Sequence, residues 1–140
     1  LNDIGAELAG LGGVHAMTDV TGFGLLGHLL EICRGSRLSA TIEAENLPVL
    51  PAARELAMGG VNTGAAGRNW AGYGHEVTMP TDLAEWRRNI LCDPQTSGGL
   101  LVACAPAEAD GILRLFRERG YGFAQAIGAM AEGPAGISVL

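Results

Sequence analysis

Thr18-Asp19-Val20-Thr21-Gly22-Phe23-Gly24-Leu25-Leu26-Gly27-His28-Leu29 is the stretch on which the fold turns. Upstream of it, Val14 to Val20 reads as extended chain running into a turn at Thr21 to Gly24. Downstream, Leu25, Leu26, Leu29, Leu30 and Cys33 recur at helical spacing, with Arg34 in the last turn and Gly35 past the end. A strand, a tight turn and an amphipathic helix in that order predict a helix packed on a sheet. Gly22 and Gly24 let backbone N–H groups converge at the helix N-terminus, where unpaired donors and the helix dipole attract an anion. Asp19 stands just before that turn, a hard oxygen ligand where Mg²⁺ bridging to a phosphate takes a carboxylate. The plainer alternative is that Asp19 or Thr21 caps the helix and the glycines permit close packing.

A second turn has the same flavour: Asp93-Pro94-Gln95-Thr96-Ser97-Gly98-Gly99, leading into the apolar run Leu100 to Ala105. Asp before Pro starts a turn, Gly98-Gly99 permits close backbone approach, and Gln95, Thr96 and Ser97 offer donors. Its plainer alternative is a connecting turn closed by its own side chains. The candidate ligand-facing residues are therefore Thr21, Gly22 and Gly24 in the first turn and Thr96, Ser97 and Gly98 in the second, with Asp19 as the candidate metal ligand.

The remaining elements follow from periodicity and punctuation. Residues 2–10 carry a short helical pattern that stops at Gly12-Gly13, and residues 38–43 alternate as a half-buried strand. Pro51 opens a helix to Met58 that Gly59-Gly60 ends. Residues 61–75, with four glycines, read as a long loop. Asp82 with Glu85 resembles a capping box starting a helix to about Leu91. Pro106 opens a helix with Ile112, Leu113 and Phe116 inward, closed by Gly120. Ala124 to Met130 and Gly136 to Leu140 read as strands. The order β-α-β-α-α-β-α-β-β predicts an α+β domain, a mixed β-sheet covered by helices.

Composition removes several functions. The 140 residues contain 22 Gly and nine Arg but no Lys. A G-x-x-x-x-G-K-[ST] phosphate loop, a Schiff-base lysine and a Ser–Lys dyad are thereby excluded from this chain. The net charge of −6 with scattered Arg argues against nucleic acid or an anionic membrane as partner. Cys33, Cys92 and Cys104 form an odd, widely spaced set in apolar company, which reads as buried, reduced thiols of a cytoplasmic protein. His28 among leucines reads as a packed histidine, and His15 and His75 match no metal spacing. Trp70, Tyr73 and Trp86 read as packing aromatics. The start Leu1-Asn2-Asp3-Ile4, without an initiator Met or a signal pattern, is expected to be an internal point of a longer chain.

Both long motifs, Thr18 to Leu29 and Leu91 to Leu101, resemble the C-terminal domain of the selenophosphate synthetases (selenide, water dikinase). The resemblance extends over the whole chain, including Leu47-Pro48-Val49-Leu50-Pro51 and Gly67-Arg68-Asn69. Sibling enzymes of the aminoimidazole ribonucleotide synthetase-like superfamily, such as thiamine-monophosphate kinase and the hydrogenase-maturation dehydratase, place a different small-residue turn before the helix. The resemblance implies one C-terminal domain, residues 1–140, of a two-domain enzyme whose N-terminal domain dimerises and binds ATP. It implies conversion of ATP, selenide and water into selenophosphate, AMP and phosphate, with Mg²⁺ held by several aspartates, of which Asp19 matches one. It places the reactive Cys or selenocysteine and the catalytic Lys upstream, so that no catalytic residue is expected in this chain and Cys92 is not that nucleophile. The alternatives are the C-terminal domain of another ATP-dependent enzyme of the superfamily, or a non-catalytic module binding a phosphorylated ligand.

Overall fold

A computed structural model describes residues 2–140. Helix α1 (Gly5–Leu8) precedes strand β1 (Val14–Asp19), helix α2 (Gly24–Ser36) and strand β2 (Leu38–Ile42). Helices α3 (Pro51–Met58) and α4 (Gly64–Tyr73) lead to the short strand β3 (Val77–Thr78) and helix α5 (Glu85–Cys92). Strand β4 (Leu100–Cys104), helix α6 (Ala109–Glu118) and strands β5 (Gly128–Glu132) and β6 (Gly136–Val139) complete the chain.

The strands divide into two sheets. Four of them lie in the order β3-β6-β2-β5, with β2 parallel to β6 and antiparallel to β5, and β3 parallel to β6. This mixed sheet follows the side-chain period of two: Ala40, Ile42, Ile137 and Val139 are buried on one face, while Ser39, Thr41 and Ser138 take the other. Against the buried face pack Leu26, Leu29, Leu30 and Cys33 of α2, Ala66 and Tyr73 of α4, and Leu91 and Cys92 of α5. The other two strands, β1 and β4, form an antiparallel ribbon with Asp19 opposite Leu100. One face of the ribbon, with Val14, Met17, Leu100, Val102 and Cys104, closes a second core with Ile4 and Leu8 of the N-terminal segment and Ile112 and Phe116 of α6. Leu101, one residue out of phase in β4, turns to the first core instead. The ribbon thus joins the two cores, and the expected α+β architecture is found with its strands in two sheets.

Several local expectations are corrected. The glycine-rich segment 61–75 is not a loop: Thr63 caps α4 by accepting from the Ala66 N–H at 3.2 Å, and Ala66 and Tyr73 bury one side of it. Gly67 and Gly72 meet nothing within 4 Å, so they occupy the open side of a helix held by its packed face. Asp82 does not cap α5, which starts at Glu85 after an Ala84 without a side-chain cap. Gly35 lies inside α2, and the left-handed residue that ends this helix is Arg37 (φ 58°), whose N–H bonds the Cys33 carbonyl. Pro106 opens a single 3₁₀ turn before α6, Leu113 is only half-buried, and the strand expected at 124–130 forms at Gly128–Glu132. Strand β3 has no counterpart in the sequence reading because two residues carry no period.

Candidate functional site

Asp19 ends β1 and Gly99 precedes β4, so the antiparallel ribbon brings the two turns side by side. The pairing continues past the strands: the Val20 N–H donates to the Gly99 carbonyl and the Gln95 N–H to the Thr21 carbonyl, each at 3.0 Å. Gly98 is required here, because a Cβ would lie 2.7 Å from Gln95 Oε1 and closer still to the Val20 carbonyl oxygen. Gly24, at φ +68°, would place a Cβ 2.6 to 2.9 Å from the Cys92 backbone, where α2 begins against the end of α5. Both of these glycines are buried and serve close approach of backbone to backbone.

Helix α4 ties the two turns from behind. The Asn69 amide donates to the Gly22 carbonyl at 3.0 Å and to the Cys92 carbonyl at 2.9 Å. The Tyr73 hydroxyl donates to the Phe23 carbonyl at 2.7 Å, and the Thr63 hydroxyl donates to Asp93 Oδ1 at 2.8 Å. Burial and the neighbouring Cys92 thiol push the Tyr73 phenol far above its ordinary range, so it remains a donor. Tyr73 is buried as the packing aromatic expected, but the hydrogen bonds of Thr63, Asn69 and Tyr73 to the turns do not follow from reading 61–75 as a loop. The signal lay in Thr63 followed by Ala65, Ala66, Trp70 and Tyr73 at helical spacing.

On the solvent side stand Asp19, Thr21, Gly22, Thr96 and Ser97, all exposed. The capping alternative is not what the structure forms. Phe23 occupies the N-cap of α2 without a side-chain bond, leaving first-turn N–H groups free of a side-chain acceptor. The Thr21 hydroxyl instead meets His28 Nε2 at 3.1 Å, and the half-buried His28 ring lies 5.8 Å from the Phe23 ring. Asp19 Oδ1 accepts from the Asn2 amide at 2.7 Å. The arrangement is an exposed carboxylate beside an uncapped helix N-terminus and a hydroxyl-bearing turn. It suits the oxygens of a phosphorylated ligand and one ligand position of a hard cation. Among the described residues, no three His, Cys, Asp or Glu side chains come together to hold a metal. Asp19 therefore offers one carboxylate, which fits Mg²⁺ held partly by substrate phosphates and water.

The cysteines do not take part at the surface. Cys33 and Cys92 are buried and burial pushes both thiols up, while half-buried Cys104 is raised by burial and by Glu108. No helix among the described residues is long and apolar enough to cross a membrane.

Known proteins resemble this chain in sequence and in fold. Selenide, water dikinases from Dechloromonas aromatica and Rhizobium meliloti are each 54% identical over 140 residues, all of this chain and 40% of theirs. The protein of the same name from Paraburkholderia xenovorans is 53% identical over the same share. The chain thus spans about 40% of the length of the curated relatives it matches. The fold is shared with a thiamine-monophosphate kinase from Stenotrophomonas maltophilia at a TM-score of 0.57 and 24% identity, over 91% of this chain and 31% of that one. The profile of the AIR synthase related proteins, C-terminal domain, matches residues 2–140, and the chain belongs to that family.

Proposed function

We propose that this chain is the C-terminal domain of a selenide, water dikinase, and that it supplies one wall of an active site completed by an upstream domain. The observation that carries the reading is identity of 53–54% to proteins of that name over the whole chain. The placement of both motifs on one exposed edge supports it. The complete enzyme would make selenophosphate, AMP and phosphate from ATP, selenide and water, as a cytoplasmic homodimer paired through its N-terminal domain.

Phosphoryl transfer depends on positioning and on neutralising oxygens more than on covalent chemistry by the protein. Mg²⁺, when bound, would neutralise phosphate oxygens and align the transferred group. Asp19 would hold it through the carboxylate oxygen that Asn2 does not bind. The α2 N-terminus would face phosphate with backbone donors, and the Thr96 and Ser97 hydroxyls would meet the same ligand from the second turn. Gly24 and Gly98 would act indirectly, by letting the two turns approach. The resemblance to those enzymes places the catalytic Lys and the nucleophile in the upstream domain, and these 140 residues hold no Lys.

The test is ³¹P detection of selenophosphate and AMP by the full-length protein given ATP and selenide. Products are expected from the wild type. The Asp19→Asn variant should turn over at least about a hundredfold more slowly at an unchanged melting midpoint, as loss of a metal-holding carboxylate predicts. AMP formation without dependence on selenide would overturn the activity, and unchanged turnover by Asp19→Asn would overturn the metal role.

A further inference from the structure

Asn2 holds Asp19 in place. Its amide nitrogen bridges two acceptors, Asp19 Oδ1 at 2.7 Å and the Gly98 carbonyl at 3.0 Å. Both partners accept only, so the nitrogen end of the amide must face them, and each of its hydrogens is used. The bridge therefore connects the candidate metal carboxylate of the first turn to the backbone of the second. Asn2 adopts a left-handed backbone at φ 58°, a conformation that Asn tolerates better than most side chains.

The bridge has a firm base. The Gly5 N–H donates to the Asn2 carbonyl at 3.0 Å, and Ile4 is buried in the second core. Asp3 accepts from the Tyr121 hydroxyl, and Glu7 pairs with Arg119 at 2.8 Å. The N-terminal segment is thus tied to α6 and the turn after it, and it delivers the Asn2 amide to the rim of the site.

We propose that Asn2 is the positioning residue for Asp19: it fixes one carboxylate oxygen and so turns the other outward, to a divalent cation. The proposal rests on the reading of Asp19 as a metal-holding carboxylate. An amide bound to one oxygen stops the carboxylate from rotating, so less orientation is lost when the cation binds. The Gly98 carbonyl makes the orientation dependent on the second turn as well. A change in either turn is then felt at Asp19.

The test uses full-length protein with Mn²⁺ as the probe, its binding followed by electron paramagnetic resonance in the presence of a non-hydrolysable ATP analogue. Asn2→Gly keeps the left-handed backbone and removes only the amide. It should weaken Mn²⁺ binding about tenfold or more. It should also raise the Mg²⁺ concentration for half-maximal turnover by a similar factor, with most of kcat recovered at saturating Mg²⁺. Asn2→Ser, which keeps a single short donor and cannot bridge, should lose about threefold or more, and serves as the measurement if Asn2→Gly does not fold. A lower melting midpoint with Mn²⁺ affinity within twofold of wild type in either variant would make Asn2 merely structural and overturn the proposal. Asp19→Asn separates the two readings. If it loses Mn²⁺ while Asn2→Gly does not, only the positioning role fails; if it binds Mn²⁺ as wild type does, the metal reading fails and takes the positioning role with it.

Discussion

Replacing Gly24 by Ala tests whether the first motif is held by packing at the glycine that opens α2. Two costs are independent. The backbone sits at φ +68°, and an L side chain there costs about 1–2 kcal/mol. The added Cβ would also lie 2.6 Å from the Cys92 carbonyl carbon and 2.9 Å from its Cα. Carbon contacts are optimal at about 3.5–4.0 Å, so α2 and the end of α5 must part, at about 1–3 kcal/mol for overpacking. Lower entropy of the unfolded chain returns about 0.4–1 kcal/mol, leaving a net loss of roughly 2–4 kcal/mol. For a chain of this length, at about 4 °C per kcal/mol, the melting midpoint should fall by about 8–16 °C. Gly22 is the internal control, two residues away in the same turn, exposed, with nothing within 4 Å of a Cβ and no positive φ. Gly22→Ala should melt within about 2 °C of wild type. Thermal unfolding followed by circular dichroism reads both. A Gly24→Ala midpoint close to wild type, or equal losses in the two variants, would refute the packing argument.

Asn69→Ala removes two hydrogen bonds and leaves the Gly22 and Cys92 carbonyls without that donor. It should cost about 2 kcal/mol in urea unfolding and speed amide exchange in residues 22–25; unchanged exchange there would show that α4 does not hold the turn. In the native state Cys104 should react with a thiol reagent well before Cys33 and Cys92, which are buried. Equal rates for all three would contradict the two-core packing. Because burial raises the thiols of Cys33 and Cys92, folding keeps protons that the unfolded chain releases. Their contribution is complete below the unfolded thiol range of about 8.5 and declines as pH rises beyond it. The melting midpoint should therefore fall above about pH 8.5, with a shallower slope in the Cys33→Ala, Cys92→Ala double variant.

The parts of the fold legible in the sequence are those whose local period survives in the packing. Leu26, Leu29, Leu30 and Cys33 mark α2 because one face of it is fully buried, and Ile137 and Val139 mark β6 for the same reason. Segment 61–75 is not legible because its four glycines point to a loop by local rules, whereas α4 is stabilised from outside itself. Its Asn69 and Tyr73 reach four carbonyl and thiol neighbours of the two motifs, and its open side can hold glycine. The division into two sheets was illegible as well, since β1 and β4 look like any other strands until their partners are known. At the site, residue types indicated where an anion or a cation could sit. They did not distinguish Gly22 from Gly24 or Gly98 from Gly99, because that depends on which backbone lies opposite.

That distinction changes what the two motifs mean. The turn of each holds glycines of two kinds: Gly24 and Gly98 face backbone, while Gly22 and Gly99 meet nothing within 4 Å of a Cβ. The buried pair brings the strand ends and the α2 N-terminus together, and the exposed groups around the open pair form the surface that results. On the proposed reading, with no Lys in the chain and a net charge of −6, this surface would draw phosphate through short-range backbone and hydroxyl donors and a cation on Asp19. Such donors act within hydrogen-bond distance and give little long-range steering. A polyanionic ligand would then be brought to this edge by groups on the upstream domain that we propose. The same packing that holds the two turns together would then make the edge one wall of a site, shaped for a ligand it does not recruit alone.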